Sequence, residues 1–516
     1  VNFKLATKLR ICIVQQIQKY LIFRVGKKII IQFINMKKLL FFLLYAPLVL
    51  FGQAEQAKLL YHWEDSNMVG SFAYNNAYNE IWGVVANDRE FAVIGSTAGT
   101  HFFDVTDPAN AKEVAFVAGA VQGDAIIHRD YHDYQCYLYV VADEGPSTMQ
   151  IIDYSNLPNS VEVVYDSNEF LQQSHNIFID TSAALLYSAS TKTTNNYIRL
   201  RVLSLENPEV PTLVNDYSNI AGSSISGIHD IYVREGIAYL NLGGNNGLMI
   251  ADFTDTSNPQ YLGSITDYPQ KGYNHSGWLS EDGNTYYLAD ETHDTDIKAI
   301  DVSDVTDIEV LTTFDAESSQ TFSIPHNLIV RGNYLYVSYY YDGLQVYDIS
   351  DPNNPQRVAY YDTYPDENRE SYEGAWGVFP YLPSGNILIS DMQTGLYVFE
   401  KIDETITGEM SASGTSTNCA GFVSVSHPDE VIANVKISPQ PIDNQINLSF
   451  SLSKAQTIEF SLINQNGQVV RQLESTSFPA GQHQNSYLLR SDLPKGIYFL
   501  HLKGTDYSGM YKVVKI

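Results

Sequence analysis

The residues of this chain best suited to chemistry are four histidines, His175, His229, His275 and His326, which recur at intervals near fifty residues. Each is followed by a small polar residue: Asn176, Asp230, Ser276 and Asn327. Imidazole is a frequent ligand for Zn, Cu and Fe, and a neighbouring carboxyl or amide can orient its ring. A catalytic ion needs about three protein ligands and an open position, which these side chains supply only if their nitrogens converge. Two other roles stay open at this level. Equivalent histidines in a repeat can serve packing, each bonded to a neighbouring backbone, or they can line a metal-free pocket for an organic ligand.

A repeated phrase supplies the frame that would position them. Its clearest copy is Gly343-Leu-Gln-Val-Tyr-Asp-Ile-Ser-Asp-Pro-Asn-Asn-Pro355, with echoes at 102–108, 151–156, 202–208, 250–255 and 299–304 and a truncated copy at 395–400. Its marker residues are Asp104, Asp153, Ser204, Asp252, Asp301, Asp348 and Glu400, at gaps of 49, 51, 48, 49, 47 and 52 residues. Each unit holds alternating β-branched and aromatic runs bounded by Asp-Gly, Asn-Pro and Asp-Pro turns, the pattern of strands. Seven units of four short strands predict an all-β chain built as a seven-bladed β-propeller. The seventh unit lacks its outer strand, and 57–65 (Ala-Lys-Leu-Leu-Tyr-His-Trp-Glu-Asp) resembles the outer strand 356–362. That N-terminal strand is expected to close the ring and remove an unpaired edge.

Aligning the units on their markers puts Trp82, Arg129, His175, His229, His275, His326 and Trp376 at the starts of the inner strands. Trp82, Arg129, Asp230 and Trp376 are then expected as neighbours of the histidines at the channel mouth, with His128 and His132 near the irregular second unit. Asp290-Glu-Thr-His-Asp-Thr-Asp296 is a second cluster. Asp290, Glu291, Asp294 and Asp296 could offer hard oxygens to Ca²⁺, although the run lacks the glycine and final Glu of an EF-hand loop and also reads as a solvated turn. Asp143-Glu144 and Tyr339–Asp342 read as blade-rim surface. The chain contains no Gly-x-Ser-x-Gly elbow, phosphate-cradling loop or His-Glu-x-x-His helix.

The first 38 residues carry nine Lys and Arg and no acid, so the remainder sets 22 bases against 59 acids, a net of −37. That balance excludes nucleic acid as a partner, since phosphate binding needs clustered positive charge, and disfavours anionic membranes. It suits an extracellular protein able to collect divalent cations. Residues 36–52 have the basic lead, short apolar stretch and small-residue end of a signal peptide, and are too short for a membrane span. Residues 1–35 are expected to be an over-extended translation start before Met36; a further membrane segment there is interrupted by Gln15, Gln16, Gln18, Lys19 and Arg24. No transmembrane span is expected in the mature chain. Of three cysteines, Cys12 precedes this leader, and the pairing of Cys136 with Cys419 cannot be decided from spacing.

Residues 403–430, rich in Ser, Thr and Gly, read as a flexible linker between a propeller over 53–402 and a small β-sandwich over 431–516. In that tail, Asn447–Leu452, Thr457–Ile463 and Val469–Leu473 predict strands, with Asn466-Gly467 as a hairpin turn. Ile437-Ser-Pro-Gln-Pro-Ile-Asp443, Leu493-Pro-Lys-Gly-Ile-Tyr-Phe-Leu500 and Lys512-Val-Val-Lys-Ile516 resemble the C-terminal sorting domain of the Bacteroidetes type IX secretion system, with Gln440 where that family usually has Asn. The resemblance implies handling by type IX machinery, export across the outer membrane, and surface attachment or release.

The propeller resembles the choice-of-anchor B family, whose repeats are related to the LVIVD type. Tyr78-Asn-Glu-Ile-Trp-Gly83, Ser174-His-Asn-Ile-Phe-Ile179, Asn274-His-Ser-Gly-Trp-Leu279, Pro325-His-Asn-Leu328 and Gly374-Ala-Trp376 carry that resemblance. It implies a surface propeller and no particular activity. Two functions therefore stand side by side: a secreted or surface binding and adhesion module for an extracellular ligand, and a metal-dependent hydrolase or oxidoreductase using the histidines.

Overall fold

A computed structural model describes residues 54–403 apart from 245 and 365, Cys419, and 432–515 with short gaps. The leader, the rest of the linker and the Asn466-Gly467 turn lie outside the described residues. The described chain is all-β, with one 3₁₀ turn at Pro108–Asn110.

Seven sheets share a four-strand antiparallel meander. Their inner strands are Tyr78–Ala86, Arg129–Tyr134, Asn176–Asp180, Asp230–Arg234, Asn274–Leu279, Leu328–Arg331 and Ala375–Phe379. Each lies beside the next, and the last lies against the first, so the sheets follow one another round a propeller-like ring. The sheet of Ala375–Phe379 takes its outer strand from the N-terminal side, where Leu59–Trp63 pairs antiparallel with Gly395–Phe399. Trp63 anchors that strand, packing its ring 4.6 Å from Phe103 and 5.5 Å from Tyr78.

The repeated phrase proves to be turn chemistry. Asp104, Asp153, Asp252, Asp301 and Asp348 end the third strand of their sheets. Each accepts a hydrogen bond on its carboxylate from the backbone N–H two residues on, at 2.7–3.2 Å. Aspartate makes this local bond readily and so stops the strand and starts the outward turn. Side chains alternate along the strands, and the apolar set packs between sheets, with Phe91, Phe102, Phe103, Leu240, Leu288 and Val337 fully buried.

Cys136 and Cys419 form a disulfide. In the tail, a sheet of 432–438, 445–452 and 481–488 faces a sheet of 469–478, 456–464, 496–503 and 508–515 across one core that includes Leu448, Phe450, Phe460 and Leu500.

Removing 57–65 should expose the edge of Gly395–Phe399 and give aggregated or misfolded protein. Size-exclusion chromatography with thermal melting tests this, and a soluble monomer with unchanged Tm would refute it.

Candidate metal centre on the ring axis

The histidines reach the axis because each inner strand begins with an extra residue. His229 N and Asp230 both oppose Asn241, and His175 N and Asn176 both oppose Ala189. The register likewise slips between Asn274 and Ser276, and between Ala375 and Gly377, leaving His275 and Trp376 unpaired. Such a bulge puts two residues opposite one, and here His and the polar residue after it both face the channel.

The second sheet departs from this, and corrects the alignment. Its register is regular from Arg129 onward, so Arg129 turns away from the axis and donates to the carbonyls of Ser96 and Val121 at 2.8 and 2.6 Å. His128 takes the axial place. Trp82 lies two positions along its strand from Glu80, in a different layer, where its Nε1 donates to Asp133 at 2.8 Å and its ring packs on His132 and Phe379. Glu80, not Trp82, is that strand's contribution beside the histidines.

Six rings therefore close a circle. Centroids are 4.7 Å apart for His128–His175, then 4.1, 4.2 and 4.3 Å for His175–His229, His229–His275 and His275–His326. Trp376 completes it at 4.6 Å from His326 and 5.4 Å from His128. Glu80, Asp130, Asn176, Asp230 and Asn327 share the cavity of about 70 Å³ that these rings line, room for an ion and water rather than an organic molecule.

Several outer groups hold the ring. His175 Nδ1 donates to Asp143 at 2.8 Å, and His326 Nδ1 donates to the Trp376 carbonyl at 2.5 Å. With the proton on Nδ1 in these bonds, each imidazole when neutral carries its lone pair on Nε2, the form a metal binds. Ligating histidines usually make just such a bond to a carboxylate or backbone carbonyl. Glu291 faces the ring, 3.8 Å from His275 Nε2 and 4.0 Å from His326 Nε2, and Tyr340 donates to it at 2.6 Å. His229, His275 and Glu291 offer ligand atoms that all lie within 4.8 Å of one another. Asp143, Glu144 and Tyr340, expected on the rim, are thus supports: Glu144 accepts from the backbone N–H groups of Ile127 and His128 at 3.2 and 3.1 Å. Only their neighbours in space reveal this.

Burial sets the protonation states. It pushes His128, His229 and His275 well below the ordinary imidazole value and His326 down to about 3, keeping them neutral. Burial opposes charge on His175 too, but the bond and charge of Asp143 raise its pKa. Burial raises Glu80 well above the carboxylate range, Asp130 and Glu291 to about 7, and Asp230 to about 8. Carboxyls pushed up this way hold their protons more tightly, and a cation binding them would displace those protons.

Above the ring, an open pocket of about 440 Å³ is lined by Asp143, His175, Lys192, Tyr197, His229 and Tyr273. An ion held by the ring would be approached from there.

The acidic run at 290–296 does not assemble as a calcium loop. Asp290 is fully buried against Lys298 at 2.8 Å and accepts from Tyr268 and the Gly272 backbone; Asp294 accepts from Phe322 N, and Asp296 from Gln270 and Thr313. Glu291 turns to the ring instead. Four neighbours in sequence are spent on four separate tasks.

The comparisons with known proteins bear on the two ends of this architecture. Residues 436–516 match the secretion system C-terminal sorting domain, and 228–267 and 325–363 match the LVIVD repeat. No curated protein matches the chain. Among solved structures, the periplasmic gluconolactonase PpgL of Pseudomonas aeruginosa is similar at 12% identity and TM-score 0.45, covering 80% of this chain and 99% of that one. A protein from Lactobacillus plantarum aligns at 11% identity and TM-score 0.45, covering 80% and 100%. The Cps50 (Swd1) β-propeller domain of Myceliophteria thermophila aligns at 12% and 0.41, covering 61% and 94%. The chain thus carries LVIVD repeats on a propeller-like fold and a type IX sorting tail, which marks it for export to the cell surface or the extracellular space. No helix among the described residues is long and apolar enough to cross a membrane.

Asp143→Asn should weaken metal binding about 10–100-fold while leaving Tm of the metal-free protein nearly unchanged, because it loosens a ligand's orientation and not the core. Titration calorimetry with Zn²⁺ checks it. Lys298→Met should destabilise by about 3–5 kcal/mol, leaving Asp290 buried without its counter-charge, and added Ca²⁺ should not restore the loss. Urea unfolding with and without Ca²⁺ measures both.

Proposed function

We propose that this chain is a secreted or surface-attached binding module, a seven-bladed propeller of the choice-of-anchor B type closed by 57–65, that engages an extracellular ligand through a metal-bearing channel mouth. In this reading 36–52 is a signal peptide before the propeller of 53–402, 403–430 is a linker, and 431–516 is the sorting domain. The ring His175, His229, His275 and His326, with Glu291, holds one divalent transition-metal ion. One observation carries this: His175 and His326 are held by oxygens outside the ring, so that both present a lone pair on Nε2. The ligand sits in the open pocket above His175 and His229.

A metal-dependent hydrolase or oxidoreductase is the second reading, favoured by that same pocket, which leaves a side of the ion free for water or substrate. Replacing both His229 and His326 by Ala in protein purified without a His tag tests the metal reading. Elemental analysis should show loss of the ion while circular dichroism keeps the native fold. Collapse of the fold, or an unreplaced protein that binds no added Zn²⁺, would reduce the ring to packing. Metal-dependent turnover of ester or glycoside probes would favour the enzyme.

A further inference from the structure

The axis carries another donor set that shares no ligand with His229, His275 and Glu291. Glu80, His128 and Asp130, from the first two sheets, offer ligand atoms that all lie within 4.8 Å of one another, and all three are buried. From this we infer a second divalent transition-metal site, so that the channel holds two ions and not one. The inference rests on the proposed metal reading only in sharing its cavity.

Three features support it beyond the grouping of acids. His128 is 7% exposed, and its Nδ1 is buried without a hydrogen-bond partner. A buried ring nitrogen left unpaired is costly, and an ion would supply its missing partner. The carboxylates are held as a metal's neighbours are: Glu80 accepts from Ile81 N at 3.0 Å and Asn327 Nδ2 at 2.9 Å, and Asp130 accepts from Ile177 N at 2.6 Å. Donors aimed at these oxygens fix the direction in which the carboxyls face the cavity. Finally, among the described residues no Lys or Arg forms an ion pair with Glu80 or Asp130, and Arg129, between them in sequence, is turned away. Two buried carboxyls with no Lys or Arg beside them leave room for a cation to supply the charge that ionising them would need.

The donor chemistry separates the two sites. The ring site is rich in imidazole nitrogen, with Glu291 as its one carboxylate, whereas this set is one nitrogen and two carboxylates and so is the better of the two for harder ions such as Mn²⁺. In paired-metal proteins, ions about 3.5–4 Å apart clamp opposite sides of one substrate group, and a shared cavity permits that division of labour here.

The test is stoichiometry on the full chain, purified untagged, stripped with chelator and titrated with Co²⁺ under elemental analysis. Wild type should bind two equivalents. Glu80→Gln with Asp130→Asn should bind one, as should His128→Asn alone; His229→Ala with His275→Ala should lose the other equivalent. The far-ultraviolet circular dichroism of each variant shows whether it folds, and His128→Asn decides if the acid variant does not. Saturation of wild type at one equivalent, or two equivalents retained by both the acid variant and His128→Asn, would overturn the site. Loss of one equivalent in the acid variant with both kept in the His229 and His275 variant would support this site while removing the ring site.

Discussion

Seven inner strands meeting on one axis force polar side chains from different sheets into contact where water is scarce. Nearly every property of the site follows from that convergence. Imidazoles that would titrate near pH 6.5 in water stay neutral, because charging one means charging it beside other rings and away from solvent. The same desolvation raises the acids facing them. The result is a ring of neutral nitrogen donors beside carboxyls that ionise reluctantly.

Convergence alone would give alternation: one axial residue, then one buried in the blade. The bulge at the start of the inner strand breaks that rule and doubles the polar residues at the mouth. Where it is present, His and Asn, Asp or Ser both reach the channel. Where the register is regular, as at Arg129, the residue in the same place in the repeat goes into the blade and makes structural bonds to Ser96 and Val121. A difference of one residue in pairing thus decides whether a side chain belongs to the site or to its scaffold.

The supports are drawn from the upper ends of the strands and the loops that join them. Asp143, Glu144, Glu291 and Tyr340 belong to three different sheets, yet they meet within two hydrogen bonds of the ring. Their sequence context, acidic and tyrosine-rich, matches that of an exposed rim. Asp290 and Glu291 show the limit most sharply: Asp290 ends its strand paired with buried Lys298, and Glu291, the first residue beyond it, faces the axis.

What the sequence by itself determined was whatever repeats. The period set the number of units, the Asp-x-Ser/Thr turns set where strands end, and the truncated last unit pointed to Leu59–Trp63 as its missing strand. It also aligned four histidines at one height, because equivalent positions in equivalent units must lie at equal distance from an axis. Tertiary structure decided what does not repeat. The slip at Arg129 and His128, the depth of Trp82 and the inward turn of Glu291 depend on backbone pairing and on neighbours some fifty residues away. So does the tautomer of His175 and of His326, which is set by the oxygen that lies behind each ring.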